Sequence, residues 1–135
     1  MDKNHEDPLN ILFSEDIGAA ERQKIAGFLK TLIALDRTNK QIGVLPDFEK
    51  LSSNFEKIEV VLMASKALSL ALDGIVDGMT QKEVISLGIM PAGSVKNTLK
   101  KLFDSKKIGK NKNSKYFIPD YRITEVIKKH NLLKK

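Results

Sequence analysis

Apolar residues at Ile25, Phe28, Leu29 and Leu32 recur every three or four positions among the polar Glu21, Arg22, Lys24 and Lys30. That period predicts an amphipathic helix over residues 16–32. Residues 31–46 then change to short apolar runs around a polar centre at 36–40 and close at Pro46, which predicts two short strands joined by a turn. Ser53 followed by Glu56 has the spacing of a reciprocal N-terminal cap, so a long helix should begin near Asn54 and end near Gly74. From Ile58 to Leu72 that helix is apolar nearly all round, with a narrow polar stripe through Glu56, Glu59, Lys66 and Asp73. Such a helix must be covered on several sides. The amino-terminal helix and hairpin on one face and the carboxy-terminal part on another would do this, or a second subunit would.

Beyond Gly74, Ile75-Val76 reads as a very short strand and Asp77-Gly78 as a turn. Thr80 and Glu83 repeat the capping spacing and open a short helix, with Val84, Ile85 and Leu87 apolar, that stops at Gly88. After a tight connection at 89–93, a helix over about 93–105 should bury Val95, Leu99, Leu102 and Phe103. Ser94, Asn97 and Lys101 would lie opposite, flanked by Lys96 and Lys100. Residues 108–118 predict a hairpin with Ile108 on one arm, Tyr116, Phe117 and Ile118 on the other, and a basic tip between them. Tyr116 and Phe117 would point to opposite faces, so at least one belongs to the core rather than to a stacking surface for bases. A last helix over about 121–133 turns Ile123, Val126 and Ile127 inward. The fold class is therefore mostly α with small β (α+β). Its segments are a flexible tail at 1–13, a helix and hairpin at 14–52 that pack on the core, and a unit at 53–135 ending in a carboxy-terminal helix. Leu9, Ile11, Leu12 and Phe13 leave the tail able to dock once a partner is present.

Length and composition fit one compact domain: 135 residues, 41% hydrophobic. The absence of cysteine excludes disulfides, thiolate catalysis and cysteine zinc sites. No basic n-region precedes an apolar run and no window is apolar over the length of a membrane span, so a cytoplasmic protein without membrane association is expected. Charge changes the picture more. Residues 1–95 carry 10 Lys and Arg against 14 Asp and Glu, whereas residues 96–135 carry 13 against 3. Eight lysines fall between Lys96 and Lys115 with only Asp104 to offset them, the footprint of a surface for polyanions. Lysine outnumbers arginine 20 to 3, favouring phosphate neutralisation over planar reading of guanine. Enzymatic chemistry finds no support. His5 and His130 have no partner motif, Gly74 and Gly78 lack the Lys-Ser or Lys-Thr of a phosphate loop, and Asp73 and Asp77 read as cap and turn residues. No cofactor and no metal site is expected.

Long helix, short strand, capped short helix, tight turn, basic helix and basic hairpin, in that order over about residues 53–119, resemble the winged helix-turn-helix superfamily of DNA-binding domains. The resemblance implies residues 80–87 as the first helix of the motif, 88–93 as its turn, 94–103 as the recognition helix that enters the major groove and 108–118 as the wing on phosphate or in the minor groove. Short polar groups near the start of such a helix reach base edges while longer cations hold phosphates. Ser94 and Asn97 suit base edges, and Lys101 reaches guanine or a phosphate. Lys96, Lys100, Lys110, Lys112 and Lys115 then serve as phosphate anchors, and Gly93 allows close backbone approach at the helix start. The expected function is selective binding of double-stranded DNA, in a transcriptional regulator. The alternative is a protein-interaction adaptor that uses the winged helix as a scaffold and its acidic amino-terminal half as the docking side. A homodimer is expected through Phe28 and Leu32 or through Ile127 and Leu132, because the central helix has so much apolar surface.

Overall fold

The computed structural model describes residues 19–133. Helix α1 (Ala19–Leu29) leads into strands β1 (Ile33–Asp36) and β2 (Gln41–Val44), and a 3-10 turn (Pro46–Lys50) connects these to α2 (Asn54–Ala71). Helices α3 (Gln81–Ser86) and α4 (Ala92–Asp104) precede strands β3 (Gly109–Lys110) and β4 (Tyr116–Phe117), and α5 (Ile123–Leu133) follows a 3-10 turn (Asp120–Arg122). The chain is thus mostly helical with two small antiparallel hairpins. The tail and residues 16–18 of the first predicted helix lie outside the described residues.

Local chemistry sets each boundary. The first hairpin pairs Ile33 with Val44 and Asp36 with Gln41, and its turn is held by Asp36 Oδ1, which accepts from the amides of Thr38 and Asn39 at 3.0 and 3.1 Å. At α2, Ser53 Oγ accepts from the Glu56 amide while Glu56 Oε1 accepts from the Ser53 amide, both at 3.2 Å, a cap whose loss costs about 1 kcal/mol. The helix ends at Ala71, one turn before Gly74.

Helix α2 is the centre of the fold: α1, α4, α5 and strands β1, β2 and β4 pack against it. Ile58, Val60, Val61, Leu62, Met63 and Ala64 are all fully buried, each large side chain contributing about 1.5–3 kcal/mol of transfer free energy. The cover comes from the chain itself. Phe28 and Leu32, expected at a subunit contact, are buried within their own chain, Ile127 is partly buried against the same core, and the Leu132 side chain lies outside the described residues.

The polar stripe of α2 also goes inside, because a helix covered all round has no solvent face. Glu56, Glu59 and Lys66 are buried, and a buried charge must be paired. Lys66 Nζ meets Asp77 Oδ2 at 2.6 Å and Asp120 Oδ1 at 2.7 Å, so Asp77 is an ion-pair partner as well as a turn residue. Burial pushes the Asp77 carboxyl up, against the pull of the Lys66 charge and hydrogen bond. Glu59 Oε1 meets Lys129 Nζ at 2.8 Å and His130 Nε2 at 3.4 Å. His130, with no role in the sequence, stands edge-on to Phe28 with ring centroids 5.1 Å apart.

Ile75-Val76 is not a strand. The pairing falls at Met79 instead, whose amide donates to the Tyr116 carbonyl at 2.9 Å and whose carbonyl accepts from the Tyr116 amide at 2.7 Å. Gly78 makes this approach possible: at φ +111°, a Cβ there would lie 2.9 Å from Lys115 Cβ and from the Tyr116 carbonyl. Ser65 Oγ secures the same glycine, accepting from its amide at 3.0 Å and donating to its carbonyl at 3.1 Å.

Candidate nucleic-acid interface

Helix α3 is capped as its sequence predicts: Thr80 Oγ1 accepts from the Glu83 amide and Glu83 Oε1 accepts from the Thr80 amide. Gly88 at φ +69° reverses the chain after it, and Pro91 precedes α4 at the N-cap position without a side-chain cap. Helix α4 packs on α2 and α3 through Val95, Thr98, Leu99 and Leu102. Thr98 thus takes an inward place and Phe103 does not. Phe103 is 42% exposed, its ring edge-on to Tyr116 of the second hairpin with centroids 6.0 Å apart. At about 100° per residue, the exchange turns the helix so that Gly93, Asn97, Lys100 and Asp104 occupy the middle of the exposed side. All four are exposed, as are Lys96 and Lys101 on either margin, while Ser94 is half-buried.

The end of α4 is fixed by a Schellman motif. The Lys107 amide donates to the Leu102 carbonyl at 2.9 Å and the Lys106 amide to the Phe103 carbonyl at 3.0 Å, with Lys106 in the left-handed region at φ 63°. The hairpin beyond it pairs Gly109 with Phe117 and Lys110 with Tyr116. Phe117 lies over Gly109, where a Cβ would come within 2.7 Å of its ring. Lys110 Nζ stands 5.2 Å from the Tyr116 ring centroid, a cation–π contact. Asn111 Oδ1 organises the tip, accepting from the amides of Asn113 at 2.9 Å and Lys115 at 3.1 Å. Lys112 projects there, exposed. Neither Tyr116 nor Phe117 is freely exposed; both are half-buried by these contacts.

The candidate residues therefore share two adjoining elements but differ in electrostatic standing. Lys100 pairs with Asp104 at 2.8 Å, and this hydrogen bond and charge hold its ammonium above the ordinary lysine value. Lys115 is half-buried and pairs with Glu83 at 3.1 Å. Burial pushes the Glu83 carboxyl up, but the Thr80 amide and Lys115 outweigh it and hold the group low. Lys96, Lys101, Lys110 and Lys112 have no ion pair among the described residues. The i, i+4 spacing of Lys100 and Asp104 was readable as a pair. Glu83, far from Lys115 in sequence, gave no such sign. Among the described residues no cluster of histidine and carboxylates is placed to hold a metal, and no helix is long and apolar enough to cross a membrane. No protein-family model, curated protein or solved structure matches the chain.

Proposed function

We propose that this chain binds double-stranded DNA, with α4 in the major groove and the β3–β4 hairpin along the backbone, as a winged helix-turn-helix transcriptional regulator. The observation that carries the reading is the division of α4 into a buried side and an exposed polar side that adjoins a basic hairpin. The succession of capped α3, tight turn, α4 and a hairpin bridged to Met79 supports it. Asn97, at the middle of the exposed side and near the midpoint of α4, is the base-reading group, since its amide can pair with adenine in two places. Ser94, half-buried, has a smaller part. Lys96, Lys101, Lys110 and Lys112 neutralise phosphates and fix register without reading sequence.

Two variants separate these roles. Asn97→Ala should cost about 1–3 kcal/mol on a selected site and little on scrambled DNA. Lys112→Ala should weaken both equally and lower the salt slope by about one. Fluorescence anisotropy on both duplexes measures this. Discrimination that survived Asn97→Ala would remove α4 as the reading element, and failure to bind any duplex would leave the adaptor, docking through its acidic half.

A further inference from the structure

We propose that the pocket between the start of α2, the end of α4 and α5 is a phosphate-binding subsite, which takes a backbone phosphodiester of the same duplex. The source of the phosphate rests on the DNA-binding reading above; the chemistry of the pocket does not. The cavity has a volume of about 470 Å³, and Lys101, Lys107 and Lys129 line it together with Ser53 and Phe55. Three separate elements thus bring lysine side chains to the border of one concavity.

Its acid groups are already engaged. Glu56, the carboxylate in the lining, is buried, and its Oε1 accepts from the Ser52 amide at 2.7 Å, the Ser52 hydroxyl at 2.9 Å and the Ser53 amide at 3.2 Å. Glu125, on the neighbouring face of α5, pairs with Arg122 at 3.1 Å and also feels the charges of Lys129 and Lys107. Lys129 is shared with Glu59, so against Glu56, Glu59 and Glu125 the cations Lys101, Lys107, Lys129 and Arg122 leave one net positive charge for an anion. Ser53 Oγ accepts from the Glu56 amide, which leaves its own proton to donate. Phe55, 40% exposed, supplies an apolar wall of the kind a sugar face covers.

Lys107 is held in place rather than free to swing at its backbone. Its amide closes the Schellman motif, and Arg122 Nη1 donates to its carbonyl at 2.6 Å. The position of the pocket argues for a phosphodiester. On α4, Lys101 lies roughly 160° around the axis from Phe103, and Phe103 faces the hairpin. Cations therefore flank the exposed side of α4 twice, at the hairpin and at this pocket. A helix in the major groove has one phosphate backbone on each flank.

The test uses the full chain labelled with ¹⁵N, titrated separately with a duplex and with inorganic phosphate, for the wild type and Lys107→Ala. With duplex, the amides of Phe55 and Ser105 should shift along with those of Asn97 and Lys112. Lys107→Ala should abolish the pocket shifts, keep the other two and reduce the slope of log K against log salt by about 0.9. Shifts at Asn97 and Lys112 with a silent pocket and an unchanged slope would overturn the subsite and leave DNA binding standing. Pocket shifts with inorganic phosphate alone, and none anywhere with duplex, would overturn the phosphodiester assignment in favour of a small phosphate ligand. Silence toward both would overturn the subsite and the DNA reading together.

Discussion

Replacing Asp104 with asparagine should make this protein bind DNA more tightly. Asp104 lies on the exposed side of α4 and neutralises Lys100 at 2.8 Å, so it withholds one of the cations of the proposed binding face. Four lysines of α4 and the hairpin, Lys96, Lys101, Lys110 and Lys112, have no ion pair among the described residues. If each of these neutralises one phosphate and Lys107 of the α2–α4–α5 pocket another, log K should fall against log salt with a slope of about −4.5, from about 0.9 per phosphate. Releasing Lys100 adds a sixth, and the slope should steepen to about −5.4. The same term is worth about 0.9 log units of affinity at 0.1 M salt, or roughly eight-fold. The pair is exposed, so the fold should tolerate its loss. Anisotropy of a labelled duplex at several salt concentrations, with circular dichroism as a check on folding, gives both quantities. An unchanged slope and affinity in Asp104→Asn would mean that Lys100 does not face phosphate, and the orientation assigned to α4 would be wrong.

Lys66→Met should destabilise the fold by about 2–3 kcal/mol, less than the roughly 3–5 kcal/mol that breaking a fully buried pair costs, because Asp77 and Asp120 keep some solvent. Urea unfolding measures it, and the further changes Asp77→Asn and Asp120→Asn should restore most of the loss; no recovery would refute the assignment of the cost to stranded carboxylates. Burial raises the Glu59 carboxyl, but hydrogen bonds and charge from His130 and Lys129 outweigh it and hold it below its ordinary value. The ionised form therefore favours the fold: its contribution is complete above the ordinary carboxylate value and disappears as pH falls through the lower, folded one. Glu59→Gln should flatten the acid side of the stability curve, and an unaltered acid slope in urea unfolding would contradict this. Gly93 is exposed with open space around its Cβ position, so Gly93→Ala should stabilise the protein by up to about 1 kcal/mol. If the glycine serves close approach of DNA, the same variant should bind duplex more weakly in anisotropy; unchanged affinity would remove that role.

Elements with a local signature were legible in the sequence. The two capping boxes located α2 and α3, and the polar 36–40 centre located the first turn, because caps and turns are made by residues a few positions apart. Features decided by distant neighbours were not. Phe103 fits the apolar period of α4 and yet faces outward, edge-on to Tyr116 on the hairpin. Glu59 and Lys66 read as a polar stripe until α5 and the 72–80 loop bring their partners over them. The same reason hid the single bridge at Met79, which needs β4 beside it, while the β-branched pair Ile75-Val76 offered stronger local propensity. In the candidate interface the polar and basic residues of α4 were visible by spacing. The neutralisation of Lys115 on the hairpin by Glu83, and the joining of Lys129 to Lys101 and Lys107, depend on the fold.

If α4 and the β3–β4 hairpin bind DNA, titration of the full chain into a labelled duplex at stepped salt should show binding at low salt that weakens along a slope of about −4.5. No binding to any duplex at low salt, or binding indifferent to salt, would contradict that reading.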